Sequence, residues 1–262
     1  MSTGLQFDHE MARRAEAVYE TRDAARRRRA ILDALQLEPE ERVIDIGTGP
    51  GFVAYEMADL VGSKGRILGV DISEPMLELA RKRCADKPWV EFQSGNATNL
   101  PIPDASFDAA LSVQVFEYIK DLAKALAEMH RALRPGGRAV VISTDWESIV
   151  WHSTIKERMD KVLSAFAEHC VFSDLPRTLG PKLRQVGFTL VDRRVVVVAQ
   201  FNPTCDVDSF SYGLMPIVKS FVPGRKGVTN EDAEAWAEEL QRLGEDYFFC
   251  LNQFLFLVMK PN

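Results

Sequence analysis

An aspartate followed by three glycines at alternate positions, Asp45, Gly47, Gly49 and Gly51 in "RVIDIGTGPG", ends an apolar run on an acid and strips side chains from the turn behind it. Glycines at such a place serve a tight turn, or they let the backbone approach a ligand closely. The spacing sorts the ligands. A dinucleotide fingerprint wants glycine where Phe52 stands, and a Walker loop wants Lys followed by Ser or Thr, which is absent. A second carboxylate, Asp71 in "GVDIS", follows Gly51 by twenty residues.

These residues need a frame. From residue 42 the pattern alternates: "RVIDIG", "RILGVDIS", "WVEFQSGN", "FDAALSVQ" and "RAVVISTDW" read as strands with helices between most of them. Ser73 is a candidate N-cap with Pro75 in the first helical turn, and "RPGG" reads as a helix stop near 134. Alternation at this spacing predicts an α/β fold with a doubly wound, mostly parallel sheet. "FTLVDRRVVVVAQF" and "YFFCLNQFLFLVM" bring the strands to seven. The roughly 45 residues between those two are too long for a turn and predict a helical insertion. Residues 8 to 36 read as one N-terminal helix, with Arg26 to Arg29 as its solvated face.

In parallel sheets of this kind ligands bind beyond the carboxyl ends of the strands, where the strand order switches. The run D-x-G-x-G-x-G, the acid in "GVDIS", the segment "SGNATNLPIPDASFDAALS" and the turn "LRPGG" occur in order over residues 42 to 145. The ordered set resembles class I S-adenosylmethionine-dependent methyltransferases, with a Rossmann-like sheet, and among them the ubiquinone/menaquinone-biosynthesis-type and small-molecule methyltransferases. The resemblance implies S-adenosylmethionine as cofactor, S-adenosylhomocysteine as product, and no metal. It implies that backbone groups of Gly47, Thr48 and Gly49 line the methionine part, with Gly51 in the same cofactor-binding loop and Asp45 orienting the amino group directly or through water. Asp71 would accept from the ribose hydroxyls, and Ile72 and Met76 would flank adenine. Asn96 and the Ala97 N–H would read the adenine edge, Gln114 would approach the amino end, and Tyr19 would fold over the cofactor. The family usually carries an acid where Asn96 stands; an amide oxygen can still accept from the adenine amino group. The expected organisation is a single methyltransferase domain over 1–262: a helical cap 1–41, a cofactor-binding half 42–145, and a substrate half 146–262 with its insertion at about 202–246.

Methyl transfer from a sulfonium is an in-line displacement, and orientation alone can lower such a barrier by roughly 7–11 kcal/mol. A general base is needed only where the acceptor holds its proton at neutral pH. A catalytic signature is therefore not required, and the acceptor stays open among O, N and C nucleophiles of a small organic molecule. Candidates for the acceptor side are Glu117, Tyr118, Asp145 and His152, with Trp146, Trp151, Phe201 and Tyr212 as walls of an apolar pocket. His152, just past a strand end, and Tyr118 are the candidate catalytic groups. His9, His130 and His169 fall in helical stretches and read as surface or packing residues.

Composition removes several classes. A net charge of −6 argues against a general nucleic-acid binder. Four cysteines, widely separated and with no CxxC pair, suit unpaired thiols better than a disulfide frame or zinc site. No apolar run approaches the length of a membrane span, and the N-terminus lacks the apolar core of a secretory signal. The expectation is a cytoplasmic protein, monomer or homodimer, acting on a small-molecule methyl acceptor. Two rival readings share the glycine loop: a nicotinamide-dependent oxidoreductase, which Phe52 and the position of Asp45 disfavour, and a non-catalytic S-adenosylmethionine-binding protein.

Overall fold

The computed structural model describes residues 8–201 and 209–262, with the backbone alone at 197 and 199–201. Five parallel strands, β1 (Arg42–Ile46), β2 (Arg66–Asp71), β3 (Val90–Ser94), β4 (Phe107–Val113) and β5 (Leu133–Trp151), are joined by β6 (Thr189–Phe201) and β7 (Phe248–Met259). The order across the sheet is β3-β2-β1-β4-β5-β7-β6. β7 runs antiparallel between β5 and β6, so the sheet is mostly parallel as its alternating pattern predicts. From β1 the chain winds outward to β2 and β3, then returns to lay β4 on the other side. The strand order therefore switches between β1 and β4, and a crevice opens beyond their carboxyl ends.

Strand alternation decides which face each residue serves. Val43 packs with Ile31 and Leu35 of α2 (Arg22–Leu35) and Met57 of α3 (Phe52–Val61). Ile44 and Ile46 point the other way, toward Leu126 and Met129 of α5 (Leu122–Ala132) and Leu179 and Leu183 of α7 (Pro176–Gln185). α4 (Glu74–Arg83) follows β2, and Ser73 is its N-cap residue with Pro75 in its first turn, although the Ser73 side chain makes no capping bond. A third cluster lies over the carboxyl end of the sheet. There α6 (Lys156–Phe166), α8 (Phe210–Phe221) and α9 (Asn230–Arg242) enclose Trp146, Phe166, Trp236 and Phe249. α8 and α9 lie between β6 and β7, and Thr229 and Asp232 close a reciprocal capping box on α9.

Local expectations shift in three places. The N-terminal helix is two helices, α1 (His9–Glu20) and α2, broken at Thr21. Thr21 turns extended, its hydroxyl donates to the Val18 carbonyl at 2.7 Å, and it caps α2. "RPGG" lies inside β5: Leu133 already pairs with Phe107, and the ladder resumes at Arg138 opposite Ala109. Proline and glycine here bulge a strand, which bends without ending. The arginine run is not a solvated face throughout. Arg27 and Arg28 are buried while Arg26 and Arg29 are exposed.

Candidate functional site

β1 delivers the glycine loop to the crevice. Asp45 is buried, and its Oδ2 accepts from the Thr48 hydroxyl at 2.8 Å. Burial pushes its carboxyl up to about 7, against the pull of that hydrogen bond. Gly47 and Thr48 donate their N–H groups to the Val70 carbonyl at 2.7 and 3.1 Å, which ties the loop to β2. Gly49 N–H donates instead to Asp71 Oδ2 at 2.9 Å, and Ser73 N–H to Asp71 Oδ1 at the same distance. Asp71 thus ends β2, holds the loop, and faces the cavity with lone pairs to spare. Burial raises its pKa, opposed by the backbone N–H groups of Ser73, Gly49 and Ile72.

Two glycines act differently. Gly47 has φ +75°, and a Cβ there would sit 2.1 Å from Val115 Cγ2. Gly49, at φ +54°, has nothing within 4 Å of that position. The first glycine lets β1 and the segment after β4 close; the second keeps open the space in front of Asp71. Phe52, where a dinucleotide loop would have its third glycine, lies between guanidinium groups, Arg83 at 3.4 Å and Arg28 at 5.1 Å from its ring centre.

A single cavity of about 970 Å³ runs from this loop to the aromatic cluster, at the upper end of the range for a ligand pocket. Its first end is lined by Gly47, Gly49, Asp71, Ile72, Met76 and the Gly95–Thr98 turn, and Tyr19 lines it from α1. Ile72 is 76% exposed at the mouth, whereas Met76 is buried against Ala12 and Ala15. Asn96 lines the wall with Ala97, but its Oδ1 already accepts from the Thr98 N–H and hydroxyl, each at 2.9 Å. Both lone pairs are committed to an Asx turn, so the amide NH₂ is the group left to face a ligand. The expected acceptor role of that oxygen is corrected accordingly.

Gln114 also lines the cavity, in a left-handed conformation (φ 54°) that is uncommon outside glycine. It is held on both sides: Nε2 donates to the Thr144 hydroxyl at 2.8 Å, and Oε1 accepts from Arg27. Arg27, expected on a solvated face, is instead buried against the cavity wall. Burial lowers its pKa to about 10, and its guanidinium lies 5.6 Å from the Tyr19 ring centre. The signal was present, since Ala24, Arg27, Ile31 and Leu35 fall on one helical face and the other three are apolar.

The far end is lined by Tyr118, Trp146, Phe166, His169, Phe210, Leu214 and Ile217. Tyr118 is in place, while three expected residues are not. His152 is exposed and does not line the cavity, because β5 runs on to Trp151, paired with Phe249, and carries His152 past the crevice. Trp151 is buried against Trp236 and Phe249, its Nε1 donating to the Tyr247 hydroxyl at 3.2 Å. Tyr212 packs against the same cluster, away from the cavity. Phe201 ends β6, and its side chain lies outside the described residues. Asp45, Thr48 and Gly51 support the loop from behind without lining the cavity. Asp145 is paired bidentately with Arg177, at 2.9 and 3.0 Å. Glu117 is fully buried behind Tyr118, and burial pushes it up to about 7. His169, read from sequence as packing, is buried and yet lines the cavity.

Among the described residues no cluster of His, Cys, Asp or Glu could hold a metal ion, and no helix is long and apolar enough to cross a membrane. A carboxylate at the end of β2, an open glycine opposite it and an apolar mouth fit a nucleoside carrying an uncharged base.

Residues 44–141 match the family described as a methyltransferase domain. An uncharacterized 37.1 kDa protein in transposon TN4556 of Streptomyces fradiae is 40% identical over 156 residues, 54% of this chain and 45% of that protein. Demethylmenaquinone methyltransferase of Symbiobacterium thermophilum is 36% identical over 107 residues, 40% of this chain and 43% of the enzyme. The chain thus spans under half the length of these curated relatives. The crystal structure of a putative methyltransferase from Bacillus halodurans superposes with a TM-score of 0.64 at 17% identity, covering 90% of this chain and 99% of that one, and shows the shared fold. Over residues 44–141, then, the chain is similar to the methyltransferase-domain family and to quinone methyltransferases.

Proposed function

We propose that this protein transfers a methyl group from S-adenosylmethionine to an oxygen, nitrogen or carbon of a small organic molecule with an apolar or aromatic portion. The observation that carries the reading is the cavity itself. One end has Asp71 fixed beside Gly49, and the other is walled by Tyr118, Trp146 and Phe166. S-Adenosylmethionine supplies an electrophilic methyl on a sulfonium whose leaving group is already good. In this reading Asp71 takes the ribose hydroxyls, Ile72 and Met76 flank the base, and the Asn96 amide donates to it. Gly47, Gly49 and Gln114 bound the amino-acid portion, with Asp45, Thr48 and Gly51 bracing the loop. Tyr19 closes over it from α1. The aromatic wall then excludes water and orients the acceptor, which is most of what this displacement asks of a protein.

Residues 42–145 form the cofactor half in this proposal. Residues 1–41 form its helical cap in this proposal, and residues 146–262, with the 202–246 insertion, are the half that selects the acceptor. The enzyme would act in the cytoplasm on a small-molecule acceptor. Calorimetric titration with S-adenosylmethionine and S-adenosylhomocysteine tests the proposal, with saturable binding of both expected. No heat from either at millimolar concentration would sink it. An NADH titration followed by fluorescence separates the oxidoreductase reading.

A further inference from the structure

The turn that follows β3 presents an amide to the cavity with its orientation already decided. Gly95 N–H donates to the Asp71 carbonyl at 2.9 Å, and Asn99 N–H to the Asn96 carbonyl at the same distance. These bonds hold the turn beside the end of β2. Asn96 is exposed and lines the cavity together with Ala97 and Thr98. The Thr98 N–H can only donate, so the Asn96 atom it meets at 2.9 Å is the amide oxygen and not the nitrogen. The Thr98 hydroxyl donates to that same oxygen. Among the described residues neither Asn96 Nδ2 nor the Ala97 N–H has a hydrogen-bond partner. Two donors, adjacent in sequence, are thus left for a ligand.

A carboxylate at this position would behave otherwise. One oxygen could serve the turn while the second stayed free to accept. An amide has one oxygen, and here the turn takes it. A purine edge that meets this side chain and the next N–H has two groups to match. Adenine offers an acceptor at N1 and a donor at its 6-amino group, whereas a 6-oxopurine offers a donor at N1 and an acceptor at O6. Against two donors each base makes one match and one conflict. Adenine accepts from the Ala97 N–H and turns its amine on the Asn96 NH₂. Hypoxanthine accepts from Asn96 through O6 and sets its N1–H against Ala97. With an acid in place of Asn96, adenine would match twice and hypoxanthine not at all.

Resting on the methyltransferase reading of the cavity, we propose that Asn96 removes base discrimination from its nucleoside end, which takes 6-oxopurine and adenine nucleosides alike. Asn96 is the specificity-determining residue, and its exposure lets water satisfy whichever group is in conflict.

The test is calorimetric titration of the full chain with S-adenosylhomocysteine and with S-inosylhomocysteine, which carries hypoxanthine in place of adenine. The two affinities are expected to agree within about threefold, because each base forms one hydrogen bond and leaves one group to water. Asn96→Asp keeps an oxygen for the turn and adds a charged acceptor, so the ratio should widen to about tenfold or more in favour of S-adenosylhomocysteine. Proton NMR of the unmutated protein needs no variant: the Asn96 side-chain NH₂ signals should move downfield with the inosine compound and less with the adenosine one. A preference for S-adenosylhomocysteine above about tenfold in the unmutated protein, or a ratio that Asn96→Asp leaves unchanged, would overturn the inference. So would a preference abolished by Thr98→Val, which would assign the adenine amine to the Thr98 hydroxyl. In those cases S-adenosylhomocysteine still binds and the methyltransferase reading stands. Binding of neither compound at millimolar concentration would overturn that reading and this inference with it.

Discussion

Replacing Gly47 and Gly49 by alanine, one at a time, separates what the glycine loop does for the fold from what it does for a ligand. Both sit at positive φ, +75° and +54°, where an added Cβ costs about 1–2 kcal/mol. At Gly47 that carbon would also lie 2.1 Å from Val115 Cγ2 and 3.0 Å from Cγ1, inside a packed wall. Relieving such an overlap costs a further ~1–3 kcal/mol, so Gly47→Ala should lose about 2–5 kcal/mol in all. At Gly49 the methyl meets nothing within 4 Å, and only the backbone cost of about 1–2 kcal/mol applies. The order reverses for binding. The Gly49 methyl enters the space in front of Asp71 and should weaken S-adenosylhomocysteine about tenfold or more. Urea denaturation measures the first quantity and calorimetry the second. Adding Val115→Ala to Gly47→Ala should recover part of the loss, which a double-mutant cycle reads directly. The reasoning fails if the two alanine variants are equally stable, or if Gly49→Ala binds as the unmutated chain does.

Two further substitutions test the carboxylates. Asp71→Ala removes the acceptor for the Gly49 and Ser73 N–H groups as well as the proposed ribose partner, and should weaken S-adenosylhomocysteine by about 1.5–3 kcal/mol; unchanged affinity by calorimetry would mean the ribose lies elsewhere. Glu117 is raised from 4.5 to about 7 by burial, so the folded state binds its proton more tightly than the unfolded chain. Its contribution is fully present below about pH 4.5 and is lost as pH rises through 7. The stability difference between the unmutated chain and Glu117→Gln should therefore fall by up to ~1.4 kcal/mol per pH unit across that window. Denaturation curves from pH 4 to 8 that stay parallel for the two proteins would refute it.

The glycine-loop end of the cavity was legible because its signals are local. Asp45 and Asp71 each end a short apolar run, glycines follow the first, and Ser73-Glu74-Pro75 starts a helix after the second. The aromatic end joins residues distant in sequence. Trp146, His169 and Phe210 meet only because β5, α6 and α8 converge, and no periodicity reports that. His169 is the packing residue its helical stretch suggested, stacked on Phe166 and fully buried. His152 was misplaced because nothing in "TDWESIVWH" marks where β5 ends. Charge misled at Arg27 and Arg28: four arginines in a row suggest water, yet helical spacing put two of them beneath Tyr19 and Phe52. The antiparallel sense of β7 was not readable either, because alternation along a strand carries no direction.

The placement of β7 between β5 and β6 governs how the chain is made. During synthesis β6 leaves the ribosome long before β7, which in the sheet is its only neighbour among the described residues. Until then a strand carrying Val195 to Val198 has no ladder to join, while the helices that roof the cavity can already collapse on one another. A chain that lacked β7 would therefore leave the β5 and β6 edges unpaired and open to other strands. Nascent chains halted before Phe248 would hold that stage, and a chaperone that binds extended apolar segments would find its site there.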